Sequence, residues 1–245
     1  MTDYAWMYPF YRLTWTALDW VFPPMCGGCG EAGSRWCKEC QQRVPLLTGK
    51  VCEACGLPSE ESPLCRTCKL DRPSYHSLRS WAVFDDPVQQ ALHRLKYRRD
   101  VGLGDALAAQ MKRFLAGLYW PIDLVVPIPL GQSRRRERGY NQVSLIALPL
   151  AMSLNLAYVP KALYRWRETR SQVGLSREQR RKNIQGAFRA DERKVRGRTV
   201  LLMDDVATTG STLSSGAEAL FSAGARQVYA LTVARALPRH GLSRA

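Results

Sequence analysis

An α/β fold with a doubly wound, mostly parallel sheet, preceded by a small double zinc ribbon, is what this 245-residue sequence predicts. Three observations carry that expectation. Short apolar runs alternate with helical spacing from residue 78 to residue 237. One of them, Val200-Leu-Leu-Met203, is apolar without a break, as in a strand covered on both faces. All eight cysteines fall between residues 26 and 68, in four Cys-x2-Cys pairs.

The chain starts with an aromatic-rich stretch, residues 1–22, interrupted by Asp3, Arg12 and Asp19. It reads as an amphipathic helix docking Trp6, Leu13 and Leu18 onto the folded body. Contact with a membrane surface through its aromatics is the weaker reading. The stretch lacks the basic start, apolar run and small-residue cleavage site of a signal peptide. Nowhere does the chain reach the roughly 18 uninterrupted apolar residues of a membrane span. A cytoplasmic protein without a transmembrane segment is therefore expected. Hydrophobic residues make up 46% of the sequence, which excludes wholesale disorder. The net charge of +15 favours polyanionic partners: nucleic acid, diphosphates or an anionic membrane surface.

Residues 23–72 form the cysteine module, with pairs Cys26/Cys29, Cys37/Cys40, Cys52/Cys55 and Cys65/Cys68. Two thiolates on one tight turn face one metal, and two such turns complete a tetrahedral zinc site. Disulfides fit a cytoplasmic chain poorly, and a redox Cys-x-x-Cys occurs once rather than four times. The knuckle Cys-x2-Cys-Gly occurs at Cys26–Gly30 and again at Cys52–Gly56, each followed by a second pair. The repeat points to two consecutive ribbons, although spacing alone also allows interleaved pairing or a single occupied site. Four sulfur ligands leave no open position, so the metal is structural. So small a segment, poor in aliphatic residues, needs it to fold.

Beyond Arg72-Pro73, Ser80–Phe84 reads as a strand, Pro87–Tyr97 and Leu103–Tyr119 as helices, and Asp123–Pro129 as a strand closed by two prolines. Asn141–Leu154 has a helical pattern, with Pro149 a kink or an end. Strand Val200–Met203, helix Thr212–Ala223 and strand Gln227–Ala234 follow, and residues 238–245 form a tail. Four segments read as ligand-facing loops: Leu95-Lys-Tyr97, Val126–Pro129, the run Ser133–Gln142 with its arginines, and the basic stretch 165–188. Converging arginine forks suit phosphate and diphosphate oxygens.

The strand at Val200 ends in two adjacent carboxylates, Asp204 and Asp205, and then in the turn Ala207-Thr-Thr-Gly-Ser-Thr212 before a helix. Backbone N–H groups of such a turn, with the positive end of the helix, make an anion site. The carboxylates accept well from neighbouring hydroxyls. Together they describe a cradle for a ribose 5-phosphate. The Gly-x4-Gly-Lys of a nucleotide P-loop and the glycine spacing of a dinucleotide fingerprint are both missing.

This arrangement resembles the phosphoribosyl-diphosphate (PRPP) motif of type I phosphoribosyltransferases. The Cys-x-x-Cys module, Leu95-Lys-Tyr97, Val126-Pro-Ile-Pro-Leu130, Arg134-x3-Arg-Gly-Tyr-Asn-Gln142 and the segment with Thr169, Gln172, Leu175, Arg180, Asn183 and Ala187 narrow the resemblance to the ComF (competence protein F, GntX-like) family. Tyr140 stands where that family often has phenylalanine. The resemblance implies a type I phosphoribosyltransferase-like domain over 78–237 that binds PRPP with Mg2+ and transfers its phosphoribosyl group to an acceptor the sequence does not identify. It implies that Asp204 and Asp205 face the ribose hydroxyls as the catalytic pair, and that Ala207, Thr208, Thr209, Gly210, Ser211 and Thr212 hold the 5-phosphate. It implies that the loop after the strand at Val125–Pro129 holds the diphosphate with Arg134 and Arg138 nearby, that Lys96 is a further PRPP-binding residue, and that segment 165–185 is a closing loop. DNA uptake follows as the implied role, with single-stranded DNA and the uptake machinery as partners. The competing implications are a single-stranded-DNA-binding protein, or a PRPP-sensing regulator, without turnover.

Overall fold

The computed structural model describes residues 7–60, 63–168, 179 and 183–237. Trp6, Thr169, Gln172, Leu175, Arg180 and the tail 238–245 lie outside the described residues. Helix α1 (Met7–Val21) leads into the cysteine module, which carries the short helices α2 (Lys38–Gln42) and α3 (Arg66–Leu70). The α/β part then runs β1 (Ser77–Val83), α4 (Val88–Tyr97), α5 (Leu103–Ala116), β2 (Leu124–Pro127), α6 (Gln132–Arg138) and α7 (Gln142–Ser153). It continues β3 (Ala157–Tyr158), β4 (Leu163–Arg165), β5 (Phe188–Ala190), α8 (Glu192–Val195), β6 (Thr199–Ala207), α9 (Ser211–Ser222) and β7 (Gln227–Arg235).

Five strands form one parallel sheet in the order β1-β7-β6-β2-β3. Its central strands are buried on both faces, as the unbroken apolar run predicts. One face is covered by α4, α5 and α7 through Leu92, Leu95, Leu107, Met111, Ile146 and Leu150. The other is covered by α9 and by a separate antiparallel ribbon of β4 and β5. Chain order reverses between β6 and β2: β6 connects onward to β7 on one side and β2 to β3 on the other. The crevice off the carboxyl ends of these two strands is where ligands sit in such sheets.

Several sequence expectations need correction. Leu13 and Leu18 do not dock: they are exposed, and α1 turns Tyr11, Trp15 and Asp19 inward instead. Arg35 explains why, because its guanidinium pairs with Asp19 at 2.5 Å and lies 4.9 Å from the Trp15 ring centre. The run Ser133–Gln142 is no loop but contains α6, ended by Gly139 in the left-handed conformation. Pro149 neither ends nor interrupts α7. The Leu145 carbonyl that it deprives of a donor faces Gly104 of α5, where a Cβ would lie 2.4 Å from that oxygen. The strand that starts before Val200 does not stop at Met203. It runs on through both acids to Ala207, because Asp204, Val206 and Ala207 pair with Thr232, Ala234 and Arg235 of β7.

Candidate functional site

The eight cysteines gather as Cys26, Cys29, Cys37 and Cys40, and as Cys52, Cys55, Cys65 and Cys68, the sulfurs of each group lying within 4.8 Å of one another. This settles the pairing as consecutive. A zinc–sulfur bond of about 2.3 Å sets tetrahedral edges of about 3.8 Å. The Cys29–Cys37 sulfurs are 3.8 Å apart and the Cys55–Cys65 sulfurs 3.7 Å. The residues therefore fit zinc. Each knuckle folds alike, with Gly30 N–H donating to the Cys26 carbonyl and Gly56 N–H to that of Cys52. Backbone N–H groups also point at sulfur, Cys37 at Cys26 and Cys65 at Cys52. The second ribbon is fastened to β1: Leu78 N–H donates to Ala54 O at 2.7 Å, and Ser77 Oγ to Glu53 O at 2.7 Å. Arg79 reaches the carbonyls of both Cys52 and Glu53.

At the crevice a polar cleft of about 440 Å³ opens. It is lined by Lys96 from α4, Ile128–Gly131 after β2, Arg134 and Arg138 of α6, and everything from Asp204 to Leu213. The structure thus brings together every cleft residue singled out from the sequence. It adds Phe84, and it draws Gln142 and Arg165 in from two of the segments expected to face a ligand.

The two acids have different environments. Asp205 is buried and accepts from Lys96 Nζ at 2.7 Å and Gln142 Nε2 at 3.0 Å. Burial by itself would raise its pKa, but the Lys96 charge and these hydrogen bonds outweigh it and hold Asp205 below the usual carboxylate range. Asp204 makes no such close ion pair among the described residues, and its Oδ1 accepts the Asp205 N–H at 2.9 Å. Desolvation, then the neighbouring negative charge of Asp205, push Asp204 up to about 8.

Past the acids, Gly210 at φ +78° caps the twelve-residue α9, and its bare Cα lets Tyr75 Oη approach to where a Cβ would be only 2.7 Å away. Thr209 Oγ1 and Ser211 Oγ lie 2.7 Å apart, and Ser211 N–H donates to Thr209 Oγ1. The result is a set of hydroxyls and amides at the positive end of a helix, suited to a phosphate-sized anion.

On the opposite wall, Glu168 Oε1 accepts the Gln132 N–H at 2.5 Å, at the turn following β2. A Cβ on Gly131 would meet Glu168 Oε2 at 2.8 Å and Arg165 Nη1 at 3.0 Å, so this turn is pressed closely from β4. Arg138 donates to Gln142 Oε1 and to Tyr97 Oη, and stacks 5.0 Å from the Tyr97 ring. Lys96 is thus occupied by Asp205 and Arg138 partly by neutral partners, while Arg134 is exposed.

No helix among the described residues is long and apolar enough to cross a membrane. Residues 17–69 match the double zinc ribbon domain, and residues 138–244 the phosphoribosyl transferase domain. The chain carries two four-cysteine zinc sites accordingly. DNA utilization protein YhgH of Salmonella typhimurium is 35% identical over 226 residues, covering 88% of this chain and 98% of that protein. Competence protein ComFC of Bacillus subtilis is 26% identical over 231 residues, covering 91% and 90%. Competence protein F of Haemophilus influenzae is 28% identical over 211 residues, covering 82% and 90%. With a zinc double ribbon ahead of a phosphoribosyltransferase-fold domain and relatives aligned along most of its length, this chain belongs to the ComF family, that of competence protein F and YhgH.

Proposed function

We propose that the cleft binds PRPP with Mg2+ and that the chain transfers the phosphoribosyl group to an acceptor while handling DNA in the cytoplasm. The observation that carries this is the acid pair Asp204–Asp205 near the end of β6, directly ahead of the hydroxyl-rich start of α9 and lining the crevice where sheet order reverses. In this reading Asp204 accepts from the ribose diol, and Lys96 and Gln142 position Asp205 beside it. The stretch Ala207–Thr212 takes the 5-phosphate, and Arg134 and Arg138 take the diphosphate. Mg2+ arriving with the diphosphate would neutralise part of the leaving group's charge. Glu168 holds the Gln132 N–H that a diphosphate oxygen would use, so the ligand displaces it. The names of the relatives, competence and DNA utilization, support the DNA half of the proposal, as does the +15 charge.

The division of labour proposed is a helix at 1–22, zinc ribbons at 23–72, the PRPP-binding domain at 78–237 and a tail at 238–245. A second reading, PRPP sensing without turnover, is favoured by one observation. Of the carboxylates placed at the cleft, Asp205 is already held by Lys96 and Glu168 by the Gln132 N–H, so both are engaged before an acceptor arrives. The two readings separate when the protein is incubated with PRPP, Mg2+ and a cell-extract pool of bases and nucleotides. Diphosphate release above the rate of an Asp204→Ala variant supports transfer. Stabilisation by PRPP without release leaves the sensor.

A further inference from the structure

The β4–β5 ribbon has two unlike faces. Leu163, Arg165 and Phe188 point inward: Leu163 and Phe188 are buried against α9, and Arg165 lines the cleft. Tyr164 pairs directly with Arg189, and Trp166 lies two residues beyond Tyr164, so these three share the outward face. Tyr164 is 46% exposed and Trp166 53%, large values for rings on a sheet. The Arg189 guanidinium lies 4.1 Å from the Trp166 ring centre, and Trp166 Nε1 donates to Gly186 O at 2.7 Å, which fixes the indole plane. Beside it the exposed Arg167 donates to the carbonyls of Asn183 and Gln185, which sets its guanidinium at the ribbon's edge.

One fixed indole and one exposed tyrosine ring, interleaved with two arginines, form a platform suited to stacking of unpaired bases while their phosphates meet cations. A duplex hides its base faces, so stacking on these rings favours an unpaired strand. We infer that the outward face of β4–β5, built from Tyr164, Trp166, Arg167 and Arg189, is the binding surface for single-stranded DNA. This rests on the DNA half of the proposed function. Through Arg165 the same ribbon reaches the cleft on its inner side, so a strand on the outside lies back to back with the sugar-phosphate cradle.

The test is fluorescence anisotropy of labelled oligo(dT) with the full chain over a range of salt. The wild type binds, with affinity falling steeply as salt rises. Tyr164→Ala and Trp166→Ala each weaken binding about fivefold or more, whereas Trp166→Phe keeps most of it. Arg189→Gln lowers the salt slope by about 0.7. Tyr164→Ala removes an exposed ring with no role in holding the turn, so it guards against a Trp166→Ala variant that fails to fold. Thermal stabilisation by PRPP stays unchanged in Tyr164→Ala. If the wild type binds oligo(dT) and all these variants bind equally well, the surface assignment is wrong while DNA binding stands. If the wild type binds no oligo(dT), or binds duplex or RNA more tightly, the inference falls; retained PRPP stabilisation would then leave the cleft proposal intact.

Discussion

In the zinc module the four ligands of each site stand close together in the chain, and the knuckles' own N–H groups point at the sulfurs they carry. In the cleft, by contrast, Asp205 is held by Gln142 from 63 residues away and by Lys96 from the end of α4. The first region gathers negative charge for a cation that neutralises it. The second keeps two carboxyl groups side by side with a single lysine paired to one of them, and the other is raised above the usual carboxylate range. The module is therefore organised by residues local in the chain, and the cleft by residues that only the sheet order brings together.

Removing metal from the second ribbon should do most damage, because structural zinc contributes on the order of 10 kcal/mol and this ribbon is bonded to β1. We expect two zinc ions per chain by elemental analysis, from the two groups of four cysteines. Cys52→Ser should lower zinc content to one and lower the melting temperature of the whole α/β part. Cys29→Ser, in the more exposed first site, should lose one zinc with a smaller shift. Equal shifts would mean that both ribbons support the sheet alike.

Gly56→Ala comes next. It combines a φ of +68° with a Cβ that would sit 2.5 Å from Leu78 O, and should cost about 1–3 kcal/mol by denaturant unfolding. Gly30→Ala, at φ +87° with nothing nearer than 3.9 Å, should cost about 1 kcal/mol.

In the cleft, Asp204, raised by burial and by Asp205, contributes stability that is fully present below the ordinary Asp value of 3.8 and is lost progressively as pH rises from there toward about 8. Asp204→Asn should flatten that decline and raise the melting temperature at alkaline pH by about a few degrees. A lowered melting temperature would show that the acid pair is not strained. Smallest of all, Glu168→Gln should tighten PRPP or diphosphate binding several-fold with little change in stability, since it weakens the occupant of the Gln132 N–H and removes a negative charge beside Arg165.

What the sequence revealed follows the same contrast. Zinc ligation was legible down to each sulfur, because fixed spacing on a tight turn carries the geometry with it. The cradle at Asp204–Thr212 was legible for a similar reason: strand, acids, turn and helix are contiguous. The partner of Asp205 was not. Nothing local to Lys96 or Gln142 says that the end of α4 and the start of α7 meet at the carboxyl end of β6; that is a consequence of sheet order. Helix α6 escaped because Gln132–Arg138 is all polar and has no apolar period, and its signal lay in Gly139 as a left-handed stop. The β4–β5 ribbon, three residues a side, was too short to stand out from the basic stretch that contains it. For α1 the apolar count misled. Leu13 and Leu18 outweigh Asp19 on any hydropathy scale, yet the Arg35 pair with Asp19 and the cation over Trp15 fix the helix the other way round.

The central claim, that the Asp204 carboxyl, raised above the usual range by burial and by Asp205, receives the ribose of PRPP, is tested most directly by titration calorimetry of PRPP with Mg2+ near pH 7 in buffers of different ionisation enthalpy. The account predicts binding with net proton release, with the release lost in Asp204→Asn and the affinity rising as pH climbs toward 8. Binding with no proton release, or binding undiminished in Asp204→Ala, would contradict it.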